Sequence, residues 1–491
     1  MTIVLDKDKE IDSMKRKYLF YLSCFWVATS TSMTIKAQHQ ELAEKPQIWQ
    51  GKSDQHSDSN SVLNAFKRGQ FNGHFRYFLM GTNNEKQLTD YYANAAGGGL
   101  RFETAPFHGF QFAVSGFYIF NIKSSDLSKP DSSTGAMNRY ELGLFDIENP
   151  NNTKDIDRLE ELYIRYNFGK SKVIFGKQLI NTPFINLQDG RMRPTGVEGL
   201  YTEINASKHT VVEGALLYAI SPRSTTKWYY IGESMGLNPQ GLNIDGSKSN
   251  YLNHIRSDYI ALIGLKHTVN NHIKLQLWNQ YTDRVFNSSF EQVDFNFSFN
   301  RKHHFTLAFQ GVQQFAVQDG GNSDPKMTYT AKGAKAFTFG AKFAYKLKHS
   351  EWSLNYNRIT AHGRYLMPRE WGRDPFFTFM SRERNEGMGD VHALVAKFQG
   401  SIPASNFKLG IGAGFVQTPD VHQATLNKYG MPSYFQFNGD VRYKFKGFLK
   451  GLESQFLVAS KLLQGNVYQN QKYIINKVNM QNYNLVMNYY F

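Results

Sequence analysis

One cysteine in 491 residues, Cys24, leaves little room for sulfur chemistry. Its position near the start means that a processed chain has none, which excludes disulfides, thiolate metal sites and a cysteine nucleophile. Long apolar runs are also missing. Beyond the N-terminus no stretch reaches the length of a spanning helix, and mean hydropathy is −0.48. No sequence repeat of fixed period is visible, which argues against a solenoid or a propeller. The 14 histidines show no HExxH or other ligand-like spacing. Length alone allows about three ordinary domains.

What is present begins with a targeting pattern. From Met14 the chain reads "MKRKYLFYLSCFWVATSTSMTIKAQ": three basic residues, an apolar stretch from Tyr18 to Ala28, then small residues up to Ala37. That layout predicts a secretory signal peptide cleaved after Ala37. Residues 1–13 read as an overlong start, and "LFYLS" before Cys24 is too poor a match for lipoprotein acylation. Cleavage removes six basic and four acidic residues, so the formal charge falls from +15 to +13. The expected organisation is 1–37 as extension and signal peptide, 38–70 as a polar segment with a short helix, and 71–491 as one domain. The helix is placed on "SVLNAFKRG", capped by Ser61 and stopped by Gly69.

The last twelve residues, "MQNYNLVMNYYF", put Tyr483, Leu485, Met487, Tyr489 and Phe491 on one face and Asn482, Asn484 and Asn488 on the other. A soluble edge strand seldom exposes five large apolar groups; a lipid-facing barrel strand needs them. The pattern also resembles the terminal strand that barrel-assembly machinery reads, with Phe491 as the end signal. The alternation recurs along the chain. Leu162, Ile164, Tyr166 and Phe168 oppose Glu161, Tyr163, Arg165 and Asn167. Phe337, Phe339, Phe343 and Tyr345 oppose Thr338, Lys342 and Lys346, and Phe407 to Phe415 alternate with Lys408 and three glycines. Short turns at 169–171, 206–208, 300–302, 348–350 and 403–406 alternate with long loops at 121–156, 180–195, 222–253, 317–333, 362–389, 418–431 and 464–478. The fold class is therefore all-β: a transmembrane antiparallel barrel of about 18 strands, with short periplasmic turns and long extracellular loops. Sixteen is the fallback, because the strands near 283–286 join tightly.

Motifs for chemistry are weak. "GESMG" (232–236) matches a nucleophile elbow but lies in a loop rather than at a strand-to-helix turn. "GIGAGF" (410–415) belongs to an alternating strand, with no helix after it to bind a dinucleotide. "DIENPNNTKDID" (146–157) has oxygen donors for Ca²⁺ and nothing more specific. The basic residues are more telling. Lysine or arginine at the lipid midplane costs roughly 2–4 kcal/mol, so the excess charge belongs in loops, turns and lumen.

Two blocks, "GKQLINTPFINLQDGRMRPTGVEG" and "PREWGRDPFFTF…RERNEG", together with "AFKRGQFNGHFRYF" and the terminal strand, resemble the OprD-type family of outer-membrane porins. The likeness covers essentially the whole mature chain. It implies an eighteen-stranded barrel, a narrow selective channel, and diffusion of small carboxylate-bearing nutrients past a ladder of basic side chains. The Asn/Tyr-rich strands depart from better-known members and suit a Bacteroidetes-like envelope. On this reading Asp189, Arg191 and Arg193 form the constriction. Arg165, Lys177, Arg369, Arg373, Arg382 and Arg384 are the further pore-lining candidates. The expected location is the bacterial outer membrane, with small solutes, membrane lipid and the assembly machinery as partners, no nucleic acid, no cofactor and no metal. The oligomer is a monomer or a homotrimer. Alternatives are a barrel hydrolase, for which no converging Ser/His/acid set is found, and an adhesion barrel.

Overall fold

The computed structural model describes residues 48–49, 58–154, 156–187, 190–300, 302–383, 385–402 and 405–491. The expected signal peptide lies outside them. The first element is a short helix, α1 (Val62–Lys67), whose cap Ser61 accepts from the Asn64 amide at 3.1 Å, where the sequence put it.

The strands follow in a single meander. β1 (Gln70–Asn83), β2 (Tyr91–Glu103), β3 (Phe110–Ser124), β4 (Ile156–Phe168), β5 (Ser171–Gln178) and β6 (Gly196–Asn205) open it. β7 (Thr210–Ser221), the two-residue β8 (Tyr229–Tyr230), β9 (Ile260–Thr268), β10 (Ile273–Thr282), β11 (Phe286–Asn300) and β12 (His303–Ala316) continue it. β13 (Lys335–Lys346), β14 (Ser350–Ile359), β15 (Val391–Ser401), β16 (Phe407–Gln417), β17 (Tyr434–Lys444), β18 (Leu452–Leu463) and β19 (Met480–Tyr490) complete it. All pairings are antiparallel, and β1 pairs with β19, so the sheet closes and leaves no edge. β7 pairs directly with β9, and β8 is only an outgrowth on its rim, so eighteen of the nineteen strands span. The link at 283–285 joins two full strands, which removes sixteen as a count.

Connections at 104–109, 169–170, 206–209, 269–272, 301–302, 347–349, 402–406 and 445–451 lie on one side. The loops 125–155, 179–195, 222–259, 317–334, 360–390, 418–433 and 464–479 lie on the other, with the shorter 84–90 and 283–285.

The alternation read from the sequence sorts the two faces. Ile164 and Phe175 are partners across β4 and β5 and are 55% and 58% exposed. Phe339, Phe343 and Leu354 are equally bare, whereas Thr338, Lys342, Asn357, Asn482 and Asn484 are buried. An apolar belt of that extent around a closed sheet faces lipid, because water would drive it to aggregate. Aromatic pairs brace it, such as Trp352–Phe398 at 4.3 Å and Phe305–Tyr345 at 4.7 Å between centroids.

At the seam, the Phe491 amide donates to Gly73 O at 3.1 Å and the Gly73 amide to Phe491 O at 2.8 Å. The Phe491 ring stacks on Phe75 at 5.4 Å and covers Gly73, so that any Cβ there would strike it. Gly73→Val is therefore expected to expel the terminal ring and lower the fraction of heat-modifiable barrel in the membrane several-fold. Normal yield would show that the ring's seat on β1 is irrelevant to assembly.

Strict alternation fails at one place that matters. Ser115 pairs with Glu161 and Gly116 with Leu159, so Glu160 is an extra residue on β4. This bulge turns both Glu160 and Glu161 inward, where they are buried.

Candidate channel lining

The long loops do not stand out in solvent. Loop 360–390 crosses the barrel interior, held by polar side chains from widely separated strands. Gln314 and Gln310 of β12 donate to Leu366 O at 2.7 Å and Pro375 O at 3.1 Å. Lys397 of β15 donates to Phe377 O at 2.7 Å, Gln436 of β17 to Ser381 O at 2.7 Å, and Lys461 of β18 to Arg382 O at 2.7 Å. Loop 179–195 is stitched to it. Asn186 exchanges two hydrogen bonds with the Arg373 backbone, at 2.9 and 3.0 Å, and Thr195 donates to Glu370 O at 2.7 Å. Gly372, at φ +156°, is required there because a Cβ would collide with Asn186. Trp371 is fully buried and donates its indole N–H to Ser234 Oγ of loop 222–259 at 3.0 Å. The serine of "GESMG" is thus a packed structural group, itself donating to Ile231 O at 2.8 Å.

These contacts enclose an apolar core inside the barrel. Ile180, Phe184 and Ile185 pack with Ile231, Met235, Tyr251, Tyr329, Tyr365, Trp371 and Phe376. A second cluster joins Tyr140, Leu142, Leu144 and Phe145 of loop 125–155 to Met192 and to β1–β3. Each such side chain contributes about 1.5–3 kcal/mol on burial, so the loops are fixed parts of the fold. Lys428 of loop 418–433 lies in the first region, 4.7 and 4.9 Å from the Tyr251 and Tyr329 rings, and burial pushes its ammonium down to about 7. Burial likewise pushes the Glu383 carboxyl of loop 360–390 up.

The predicted site residues separate into groups. Arg193 is buried, and its guanidinium forks onto Glu160, with Nε 2.7 and 2.8 Å from the two carboxylate oxygens. Its Nη1 lies 2.9 Å from His74 Nδ1, and Phe117 and Trp49 cover it at 4.4 and 4.8 Å. Arg158 shares the same carboxylate at 2.9 Å and donates to Pro194 O at 2.6 Å. Loop 179–195 is thereby anchored to β1 and β4. Arg191 is half-buried against Gly143 and donates to Gly190 O at 2.6 Å. Asp189 lies outside the described residues.

Arg165 faces inward, 2.6 Å from Glu103, beside Arg101, which bridges Glu103 at 3.0 Å and Glu161 at 3.1 Å. Lys177 does not face inward, contrary to the expectation that it lines the lumen. It pairs across the sheet with Leu162 and Glu198 and follows Phe175 by two residues, which puts it on the outer face. The charge is tolerated there because Glu198 neutralises it and Trp228 covers it at 4.0 Å. Arg369 is held by Glu386 at 2.5 Å and lies 3.8 Å over Tyr429; Arg373 lies 4.8 Å over Phe379. Arg382 reaches β19, donating to Asn482 at 2.7 Å and to Asn484. Arg384 lies outside the described residues. Arg369 thus ties loop 360–390 to loop 418–433, Arg382 ties it to β19, and Arg373 packs within the loop itself.

The sequence reading missed two features. One is the Arg158–Glu160–Arg193 network, hidden by the bulge. The other is a basin of about 990 Å³ on the turn side of the lumen, lined by Lys266, Lys274, Lys342, Lys346, Lys348 and Lys408 against only Asp294 and Glu351. The inward alternation of Lys342, Lys346 and Lys408 was its signal. Among the described residues no cluster of three or more His, Cys, Asp or Glu is placed to hold a metal ion.

A closed eighteen-stranded barrel with a lipid belt, polar lumen and inward-folded loops defines an outer-membrane porin. The sequence profile of the outer membrane porin, OprD family, matches residues 130–383, and the chain belongs to that family. It is a non-catalytic barrel of the bacterial outer membrane. No curated protein matches the sequence. Solved structures share the fold. Pseudomonas aeruginosa OccK9 (OpdG) aligns at TM-score 0.68 and 12% identity over 87% of this chain and 99% of its own. Acinetobacter baumannii OccAB3 aligns at 0.67 and 13%, over 87% and 99%. Pseudomonas aeruginosa OpdK with vanillate aligns at 0.66 and 12%, over 87% and 99%.

Proposed function

We propose that the channel passes small carboxylate-bearing solutes by selective passive diffusion. The observation that carries this reading is the basin, where six lysines face two carboxylates. A low-dielectric wall carrying one sign of charge focuses the field and concentrates the opposite ion. Vanillate, present with OpdK, is a solute of this class. Transport requires weak, successive contacts rather than one tight site, and Arg191, Arg165 and the basin lysines supply them in that order from the loop side. Loop 179–195 forms the constriction in this proposal. Arg193, engaged by Glu160, fixes its course as a positioning residue, and Arg369, Arg373 and Arg382 keep loop 360–390 across the lumen. The loops face the exterior and the turns the periplasm, and Phe491 is the end that the assembly machinery reads.

The test is purified protein in planar bilayers under a salt gradient. Reversal potentials should report anion preference, and carboxylate solutes should block the current more than their amine counterparts. Arg191→Glu should weaken both effects. Cation preference in the wild type would overturn the reading, and a barrel without conductance would favour an adhesion role.

A further inference from the structure

The eight turns carry Lys170, Lys208, Lys302, Lys446 and Lys450, all exposed, and Lys348, which lines the basin. Among the described residues no aspartate or glutamate occupies any of these turns. The opposite loops carry both signs, with Asp131, Glu141, Asp245, Glu370 and Asp374 among their acids. The strand-end carboxylates nearest the turns are engaged: Glu203 with Lys172 at 3.1 Å and Glu453 with Lys444 at 2.5 Å. Asp58, whose carboxylate accepts from the Gly109 amide at 3.4 Å, lies beside the 104–109 turn, and the turns themselves carry lysine in excess of carboxylate among the described residues.

Apolar groups occupy the same level. Phe448 is fully exposed at the tip of the 445–451 turn, next to Leu449 and between Lys446 and Lys450. Phe299 is 80% exposed just before the turn that carries Lys302, and Phe168 is exposed just before Lys170. A turn projecting into bulk water gains nothing from a bare phenylalanine. A turn at a bilayer surface buries the ring among acyl chains while the ammonium groups reach the headgroups.

We infer that this rim binds the phosphates of anionic phospholipid in the leaflet around it. The five lysines lie apart from the basin, so the inference does not depend on the transport reading. Apolar side chains beside the cations favour a lipid phosphate over a soluble anion, since a free ion would not use them. Each lysine near an anionic surface contributes about a fivefold preference.

The full-length protein, reconstituted with one part phosphatidylglycerol to four parts phosphatidylcholine, is tested with spin-labelled forms of both lipids. The wild type should immobilise phosphatidylglycerol preferentially, and added salt should weaken the preference. The combined variant Lys170→Glu, Lys208→Glu, Lys302→Glu, Lys446→Glu and Lys450→Glu should lose it by at least about tenfold at unchanged conductance. A matching set of Lys→Gln changes, which removes charge without adding repulsion, should fall between the two and serves if the reversed set does not fold. No preference in the wild type, or an equal preference in the neutral set, would overturn the inference. So would competition by millimolar inorganic phosphate, which would make the rim a free-anion site. A wild type that prefers phosphatidylglycerol but shows no conductance would count against the channel reading only.

Discussion

Glu160→Gln is expected to destabilise the barrel by about 3–5 kcal/mol, because it leaves two buried guanidinium groups facing a neutral amide. Glu160 has no solvent exposure and is the carboxylate shared by Arg158 and Arg193. Arg193 carries loop 179–195, and that loop is tied to loop 360–390 through Asn186. The loss should thus appear twice. The temperature at which the compact form disappears on a gel should fall, and single-channel current should become noisy as the loop leaves its seat. Adding Arg193→Met, which removes one of the two stranded charges and leaves only Arg158 facing the amide, should recover part of the stability. An unchanged melting profile and quiet current in Glu160→Gln would show that the network anchors nothing.

Reversing the basin should change the sign of selectivity. Replacing Lys274, Lys346, Lys348 and Lys408 with glutamate converts a lining of six lysines and two carboxylates into one of two lysines and six carboxylates. Lys274, Lys346 and Lys348 are exposed and Lys408 is partly so, so the fold should tolerate the change. Reversal potentials should move from anion to cation preference, and uptake of a small carboxylate should slow by about tenfold, the lower end of electrostatic steering. The difference should shrink at 1 M salt, where the Debye length is about 3 Å. If both quantities stay as in the wild type, the basin is a wide vestibule without influence, and selection lies elsewhere.

The legible part of this protein was local. A period of two places Leu162, Ile164, Phe339 and Phe343 outside and Asn482, Asn484 and Lys342 inside, because successive strand side chains point to opposite faces. Short polar stretches such as "GKS" and "NRK" can only be turns between antiparallel strands, and Ser61 could be read as a cap from its own neighbours. The candidate site was legible only in outline. The pattern of turns and strands marks 180–195 as a long loop, and the structure sets Ile180, Phe184 and Ile185 of that loop, between β5 and β6, in the core within the barrel. Its partners were not readable, since Asn186 and Arg373 are 187 positions apart.

By itself, the sequence determined the all-β barrel, the lipid-facing terminal strand, the alternation of short turns with long loops and, with a single cysteine, the lack of any disulfide within the chain. These follow from the period-two pattern, turn spacing and composition, properties of neighbouring residues. Only the tertiary structure decided which charges meet. The bulge at Glu160 turned a second carboxylate inward to hold Arg158 and Arg193, the register of β5 put Lys177 outside against Glu198, and strands β9 to β16 gathered six lysines at one end of the lumen. The reason is physical: a one-residue slip or bulge reverses the face of every side chain beyond it. Pairing between residues far apart in the chain is set by closure of the whole sheet, not by any segment of it.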